Sequence, residues 1–265
     1  MHISTFDRYE QRASAVHRLD PRVKVVVTVL FVVSNVLLPD GAWWAFAAAY
    51  GLLLAVNRLA SLSFGYLFKR SFIALPFALA AVTVIFTLPG AAVASWQLGE
   101  RTLTATDAGL VRFGSILVRS WLSVQMAILL TATTQFPDLM HALHHLRVPQ
   151  VLVSVISFMY RYLFVLVDEA IRLLRARDAR SARLTADGKL GGTLLWRAKV
   201  AGSMVGQLFV RSFDRSDRVF NAMLARGYRG QMLTMNPHVM RPPDWAAAAL
   251  ALLALLGVQV LGRIG

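Results

Sequence analysis

The 265 residues contain no cysteine. A disulfide-stapled secreted domain needs a cysteine framework, so that class is excluded. Charge is also scarce: 16% of residues are charged, where a soluble domain carries about 25%. Acidic residues are the scarcer sign, with Asp+Glu 14 against Lys+Arg 28, giving a formal net charge of +14. Long polar tracts are lacking, since 57% of residues are hydrophobic and the mean hydropathy is +0.56. A disordered chain would be poor in hydrophobics. A nucleic-acid module could match the charge but not the long charge-free runs. What remains is an integral membrane protein with its basic residues gathered on one side.

Catalytic signatures are missing as well. There is no Gly-x-x-x-x-Gly-Lys-Ser/Thr loop, no His-Glu-x-x-His, no Gly-x-Ser-x-Gly and no dinucleotide fingerprint. No span holds the paired carboxylates of a proton or cation relay. Arg119 alone sits near a span interior, within reach of the outer interface. A stand-alone pump or membrane enzyme is poorly supported, and no cofactor is implied.

Five apolar stretches are present. Val25–Leu38 and Ala42–Val56 flank the turn Pro39-Asp40-Gly41. Ser71–Leu88, Ser120–Pro137 and Trp245–Gly262 carry no charge and approach the about 20 residues of a full crossing. The first two are short and need Arg22, Lys24 and Arg58 to snorkel from their ends. The polar first 22 residues do not resemble a signal peptide, so the first span is expected to persist in the mature protein.

Lys and Arg near the span ends set the expected direction. Arg8, Arg12, Arg18, Arg22 and Lys24 precede the first span, and the turn at 39–41 has none. Segment 168–243 holds fourteen Lys/Arg against six Asp/Glu. The N-terminus and this basic region are therefore expected in the cytoplasm, with the C-terminus outside. Val151–Val167 is apolar enough to be a sixth span, yet crossing would put the basic region outside. It is read instead as the start of an interfacial helix from about Pro149 to Arg183. Ser154, Ser157, Arg161, Asp168, Arg172 and Arg175 form a narrow polar stripe on it. At 1.5 Å per residue this helix is roughly 50 Å long.

Gly188, Gly191 and Gly192 break the pattern. A second amphipathic helix is expected from about Thr193 to Arg226, ended by Gly227 and Gly230. Asp214 and Arg218 stand at i,i+4 on it. The expected fold is all-α, a polytopic membrane helical bundle with two long cytoplasmic amphipathic helices. Residues 1–137 hold the N-terminal segment and four spans, 138–243 the cytoplasmic helices, and 244–265 the last span. Such helices are too apolar to stand alone in water and call for lipid, each other or partner proteins. His141 and His145 share a helical face with His144 beside them. A helical His pair alone is a weak metal signal, and the plainer reading is a short interfacial helix over Phe136–Val148 with histidines at its wet edge.

The octapeptide His17-Arg18-Leu19-Asp20-Pro21-Arg22-Val23-Lys24 resembles the pre-span motif of energy-coupling factor transmembrane T components. Val148-Pro149-Gln150 and the run Arg161 to Ala170 are similar to the cobalt/nickel, CbiQ-type branch. That family carries two Ala-Arg-Gly-like motifs near the ends of its long cytoplasmic helices. Here they are Ala179-Arg180-Ser181 and Ala225-Arg226-Gly227. The first has Ser181 where Gly is common. The resemblance covers about His17 to Gly230.

The resemblance implies a non-catalytic coupling subunit of the bacterial cell membrane. It would join two cytoplasmic ABC-type ATPase subunits to a membrane-embedded substrate-binding S subunit of the cobalt/nickel type. Arg180 and Arg226 would dock in the ATPases, with Ala179, Ser181, Ala225 and Gly227 shaping the contacts. The apolar faces of 151–174 and 200–224 would hold the S subunit. The alternatives are a vitamin-type importer of the same architecture, an autonomous carrier or membrane enzyme, and a non-transporting membrane scaffold.

Overall fold

A Ser14 side chain accepts from the His17 N–H and starts the first helical turn, α1 (Ala15–Arg18). Asp20 does the same for Arg22 N–H at 2.8 Å and begins α2 (Pro21–Leu37), with Pro21 at a position whose missing N–H costs nothing. This is a computed structural model, and it describes residues 9–98, 101–180, 193–230 and 239–264. The chain divides into two compact units, Met1–Leu146 with Pro237–Gly265, and Arg147–Asn236.

The first unit is built from α2, α3 (Trp43–Leu59), α4 (Phe64–Ser71), a 3₁₀ turn (Phe72–Ala74), α5 (Leu75–Ala81) and α6 (Val84–Thr87). An antiparallel hairpin of β1 (Ala92–Leu98) and β2 (Arg101–Thr106) follows, with an irregular register between Ala92 and Ala94. Then come α7 (Asp107–Thr133), α8 (Phe136–His145) and, at the end of the chain, α11 (Pro242–Ile264). Its core lies where α2, α3, α7 and α11 meet: Phe31, Phe46, Ala49, Leu53, Leu122, Met126, Leu129 and Val258 are buried there. Leu122, Met126 and Leu129 recur at helical spacing along one face of α7.

Polar contacts tie these helices, as packing in lipid requires when burial of apolar surface gives no driving force. Asn35 Nδ2 donates to Arg119 O at 3.0 Å, Gly41 N to Ser115 Oγ at 3.0 Å, and Gln259 Nε2 to Ser34 O at 2.6 Å. Arg119 reaches the turn between α2 and α3, where it pairs with Asp40 at 3.0 Å and donates to Leu38 O. Its guanidinium also lies 5.7 Å from the Phe46 ring centroid. Asp244 Oδ1 accepts from Asp20 N at 3.0 Å and its Oδ2 from Arg241 N at 2.8 Å, so one carboxylate serves the starts of both α2 and α11.

One expectation needs correction here, and two of the spans prove less regular or longer than their apolar runs. Lys24 does not snorkel: it is 8% exposed, and its ammonium donates to His17 O at 3.1 Å and Thr133 O at 3.0 Å. Two carbonyls at helix ends outcompete distant water. Ser71–Leu88 is not one straight helix. Ser71 Oγ bonds back to Leu67 O at 2.7 Å, Pro76 brings no N–H, and the helix pair Phe64–Ala74 and Leu79–Thr87 is bent by 46°. The fourth stretch belongs to a longer helix that is apolar enough to cross. α7 starts at Asp107, where Thr106 accepts from Gly109 N at 3.2 Å, and ends at Thr133 before an extended Thr134.

Among the described residues, Asp107–Thr133, Gln150–Arg180 and Pro242–Ile264 are long and apolar enough to cross a membrane, and the bent pair would make a fourth. The helices α2 and α3 have 17 residues each.

The second unit is a pair of long helices, α9 (Gln150–Arg180, 31 residues) and α10 (Leu194–Ala225, 32 residues). Only Val153 and Ser154 of α9 are buried, and no residue of α10 is. Val151, Met159, Val205, Phe209, Phe213 and Phe220 lie exposed. Their apolar surface exceeds what a soluble helix pair leaves open.

Candidate docking site

The start of α10 is set by Thr193, whose side chain accepts from Trp196 N at 3.3 Å. Its end is set by glycine. Gly227 has φ +83°, a left-handed backbone that an L side chain rarely adopts. Gly227 N donates to Leu224 O at 2.9 Å and Tyr228 N to Met223 O at 3.0 Å. These two bonds form a Schellman motif with Gly227 at the residue just past the cap. The sequence Ala225-Arg226-Gly227 is therefore a helix stop first of all. Ala225 ends the helix and Arg226 is the cap itself, with its N–H shared between Ala222 O and Met223 O at 3.3 and 3.1 Å.

This stop leaves Arg226 on an exposed turn of fixed backbone. At the other motif, Ala179 and Arg180 are the last two residues of α9, and both are exposed. Ser181 lies outside the described residues. Arg180 and Arg226 have no ion pair among the described residues. The neighbouring Arg177 instead holds Asp178 at 2.8 Å. Arginine suits a protein–protein contact because it stays charged and offers a planar donor fork.

The two motifs are not brought together. Gln150 Nε2 donates to Gly230 O at 3.1 Å, which sets the Arg226 motif beside the start of α9. Arg180 is the last described residue at the far end of the same helix. About 45 Å of helix separates the two, at 1.5 Å per residue.

Between α9 and α10 runs an apolar slot of ≈ 540 Å³, lined by Val155, Met159, Tyr162, Phe220 and Met223 among others. Most of its walls come from the 151–174 and 200–224 stretches, with Tyr228 and Gly230 closing one end. The expected Asp214–Arg218 pair is not among the ion pairs of the described residues. Arg211 Nη1 instead meets Glu169 Oε1 at 2.6 Å, a partner 42 residues away that no local spacing rule could have found. Lys24 was likewise missed as a junction residue.

The histidines sit on α8. His145 Nδ1 lies 3.1 Å from His141 O, and since a carbonyl only accepts, that nitrogen carries the proton. The His141 and His145 rings stand 4.4 Å apart between centroids. Among the described residues, no group of three or more His, Cys, Asp or Glu side chains is placed to hold a metal ion.

The cobalt transport protein family, CbiQ, matches residues 12–236. The energy-coupling factor transporter transmembrane protein EcfT of Lacticaseibacillus paracasei is 28% identical over 268 residues, covering 97% of each chain. EcfT of Brevibacillus brevis is 30% identical over 234 residues, 84% of each chain. The cobalt transport protein CbiQ of Rhodobacter capsulatus is 27% identical over 201 residues, 76% of this chain and 77% of its own. With a match spanning most of its length and relatives aligned almost end to end, the chain belongs to the CbiQ family, as a transmembrane T component of the energy-coupling factor type.

Proposed function

We propose that this chain is the non-catalytic coupling subunit of an energy-coupling factor importer for cobalt or nickel ions. It joins two cytoplasmic ABC-type ATPase subunits to a membrane-embedded S subunit. Its N-terminus and the second unit lie on the cytoplasmic side of a bacterial cell membrane, as the excess of Lys and Arg in 168–243 favours.

The observation that carries this reading is the placement of the two arginine motifs. Arg180 and Arg226 stand exposed, without an ion pair among the described residues, at opposite ends of one helix pair. Two separated docking points suit two ATPase subunits better than one binding site would. Movement of the ATPases on ATP binding would then pull on both ends of α9 and α10. The largely apolar slot and the exposed phenylalanines between those ends offer the S subunit an apolar surface with Arg215 as its one charged lining residue. Ala179, Ser181, Ala225 and Gly227 keep the flanks of the arginines small, so a partner backbone can approach closely. The cobalt cargo takes its support from the name of the family and of the Rhodobacter capsulatus relative, and nickel from the resemblance to the cobalt/nickel branch alone. Lipid phosphates are the competing partner for the arginines.

The test is co-purification from membranes of the wild type, Arg180→Glu, Arg226→Glu and the double variant. ATPase subunits should accompany the wild type and be lost or uncoupled in the double variant, while lipid binding alone would leave assembly intact. Losing one arginine from such a contact should cost about 2–5 kcal/mol, mostly from the partner charge left unpaired. Metal uptake in reconstituted vesicles then separates cobalt or nickel cargo from a vitamin.

A further inference from the structure

The slot between α9 and α10 is held by polar contacts at its two ends. Gln150 Nε2 donates to Gly230 O at one end, and Arg211 Nη1 to Glu169 Oε1 at the other. Between them the walls are mostly apolar, with Arg215 and three serines among them, and the slot is open. Packing does little to set the spacing of the helices, because α10 buries none of its residues and α9 only two near its start. A directional, charge-assisted contact therefore fixes what side-chain interlocking does not.

Glu169 continues the lining face of α9, three residues past Leu166 and seven past Tyr162. Arg211 stands one turn before Arg215, which lines the slot from α10. The glutamate side chain is 17% exposed and the arginine 56%. Glu169 is thus largely shielded and Arg211 reaches in to it, an arrangement that survives salt better than an ion pair in open water.

We propose that Glu169 and Arg211 are positioning residues that set the width of the slot. The pair acts as a pin: with it closed, α9 and α10 move as one body, and with it open they swing apart about the Gln150–Gly230 end. This rests on the coupling function above, because the pin matters to transport only if force enters through these helices. Charge pairing, and not either side chain alone, is the working element. Exchanging the two charges therefore preserves the pin.

The absence of cysteine permits a direct test on the isolated full chain. Leu174→Cys and Gln207→Cys, both at exposed positions near the pin, carry spin labels, and their distance distribution is measured in lipid nanodiscs. Glu169→Arg and Arg211→Glu should each broaden and lengthen the distribution, and the exchanged double variant should restore it. Glu169→Gln, nearly isosteric, should act in the same direction and guards against a misfolded reversal. With the ATPase and S subunits reconstituted, each single reversal should lower uptake per ATP hydrolysed about five-fold, the factor of a modest interaction, and the exchange should recover it. An unchanged distribution in the single variants, or an exchange that fails to restore it, overturns the pin. If the wild type recruits no ATPase, the coupling function itself fails, while the distance measurement still judges the pin.

Discussion

The ammonium of Lys24 donates to the main-chain oxygen of Thr133 at 3.0 Å, tying the start of the first long helix to the end of α7. Thr133 O is one of the carbonyls that a helix end leaves without a partner, and His17 O, the second acceptor, lies at 3.1 Å. We expect Lys24→Met to destabilise the protein by about 1–3 kcal/mol, the cost of leaving a buried acceptor unmade. Relief from burying an ammonium works against this but does not repair the carbonyls. A thermal melt in detergent should show a lower midpoint, and an equal or higher one would mean the lysine is dispensable.

His17 gives a pH dependence. Its Nε2 lies 3.0 Å from Glu10 O and must carry the proton, so Nδ1 accepts from Ser14 Oγ at 2.6 Å. Burial lowers its pKa below the ordinary 6.5, and the positive charges of Lys24 and Arg12 act in the same direction, against the Glu10 carbonyl. The unfolded chain therefore binds the proton first as pH falls. Stability attached to the neutral ring is fully present above pH 6.5 and declines from there toward the lowered folded value. We expect the melting midpoint to drop with acidification below 6.5 and His17→Gln to flatten that slope. A slope of the same size in the variant would assign the effect to other groups.

Gly227 offers the third case. A Cβ there meets nothing within 4 Å, so only the backbone angle opposes substitution. At φ +83°, alanine should cost about 1–2 kcal/mol. Gly227→Ala should therefore loosen the helix stop that presents Arg226 and, on the proposed coupling role, weaken ATPase recruitment, while Gly227→Asn, which tolerates this region better, should lie between it and the wild type. Pull-down of the partner ATPases against a dilution series reads the order. Equal recruitment by all three would remove the link between the stop and the docking arginine.

The local rules of helix ends made much of this chain legible. Thr193 and Gly227 mark the limits of α10 almost to the residue, because a cap acts through bonds to its own neighbours. Pro149 likewise stands just before the first residue of α9, while the Gly-rich stretch after Arg183 lies outside the described residues. The bend in the third apolar stretch is not legible in its hydropathy, which hides the effect of Ser71 and Pro76 on the backbone. The hairpin of Ala92–Leu98 with Arg101–Thr106 went unseen beside the stronger apolar signal before it. Lys24, Asp244 and the Glu169–Arg211 pair depend on partners far along the chain, and no spacing within one helix encodes them. The arginine motifs were visible as sequence, but the Schellman stop that explains Gly227 needed the backbone.

The carboxylate of Asp244 that receives Asp20 N lies 224 residues downstream. At about 5–20 residues per second, a ribosome needs roughly 10–45 s to deliver it after Asp20 has emerged. Throughout that interval the first helix waits with an open donor, and the entry to the bundle stays unsealed. A chain truncated before α11 would therefore leave Asp20 N without this acceptor, and the start of α2 without its tie to the start of α11.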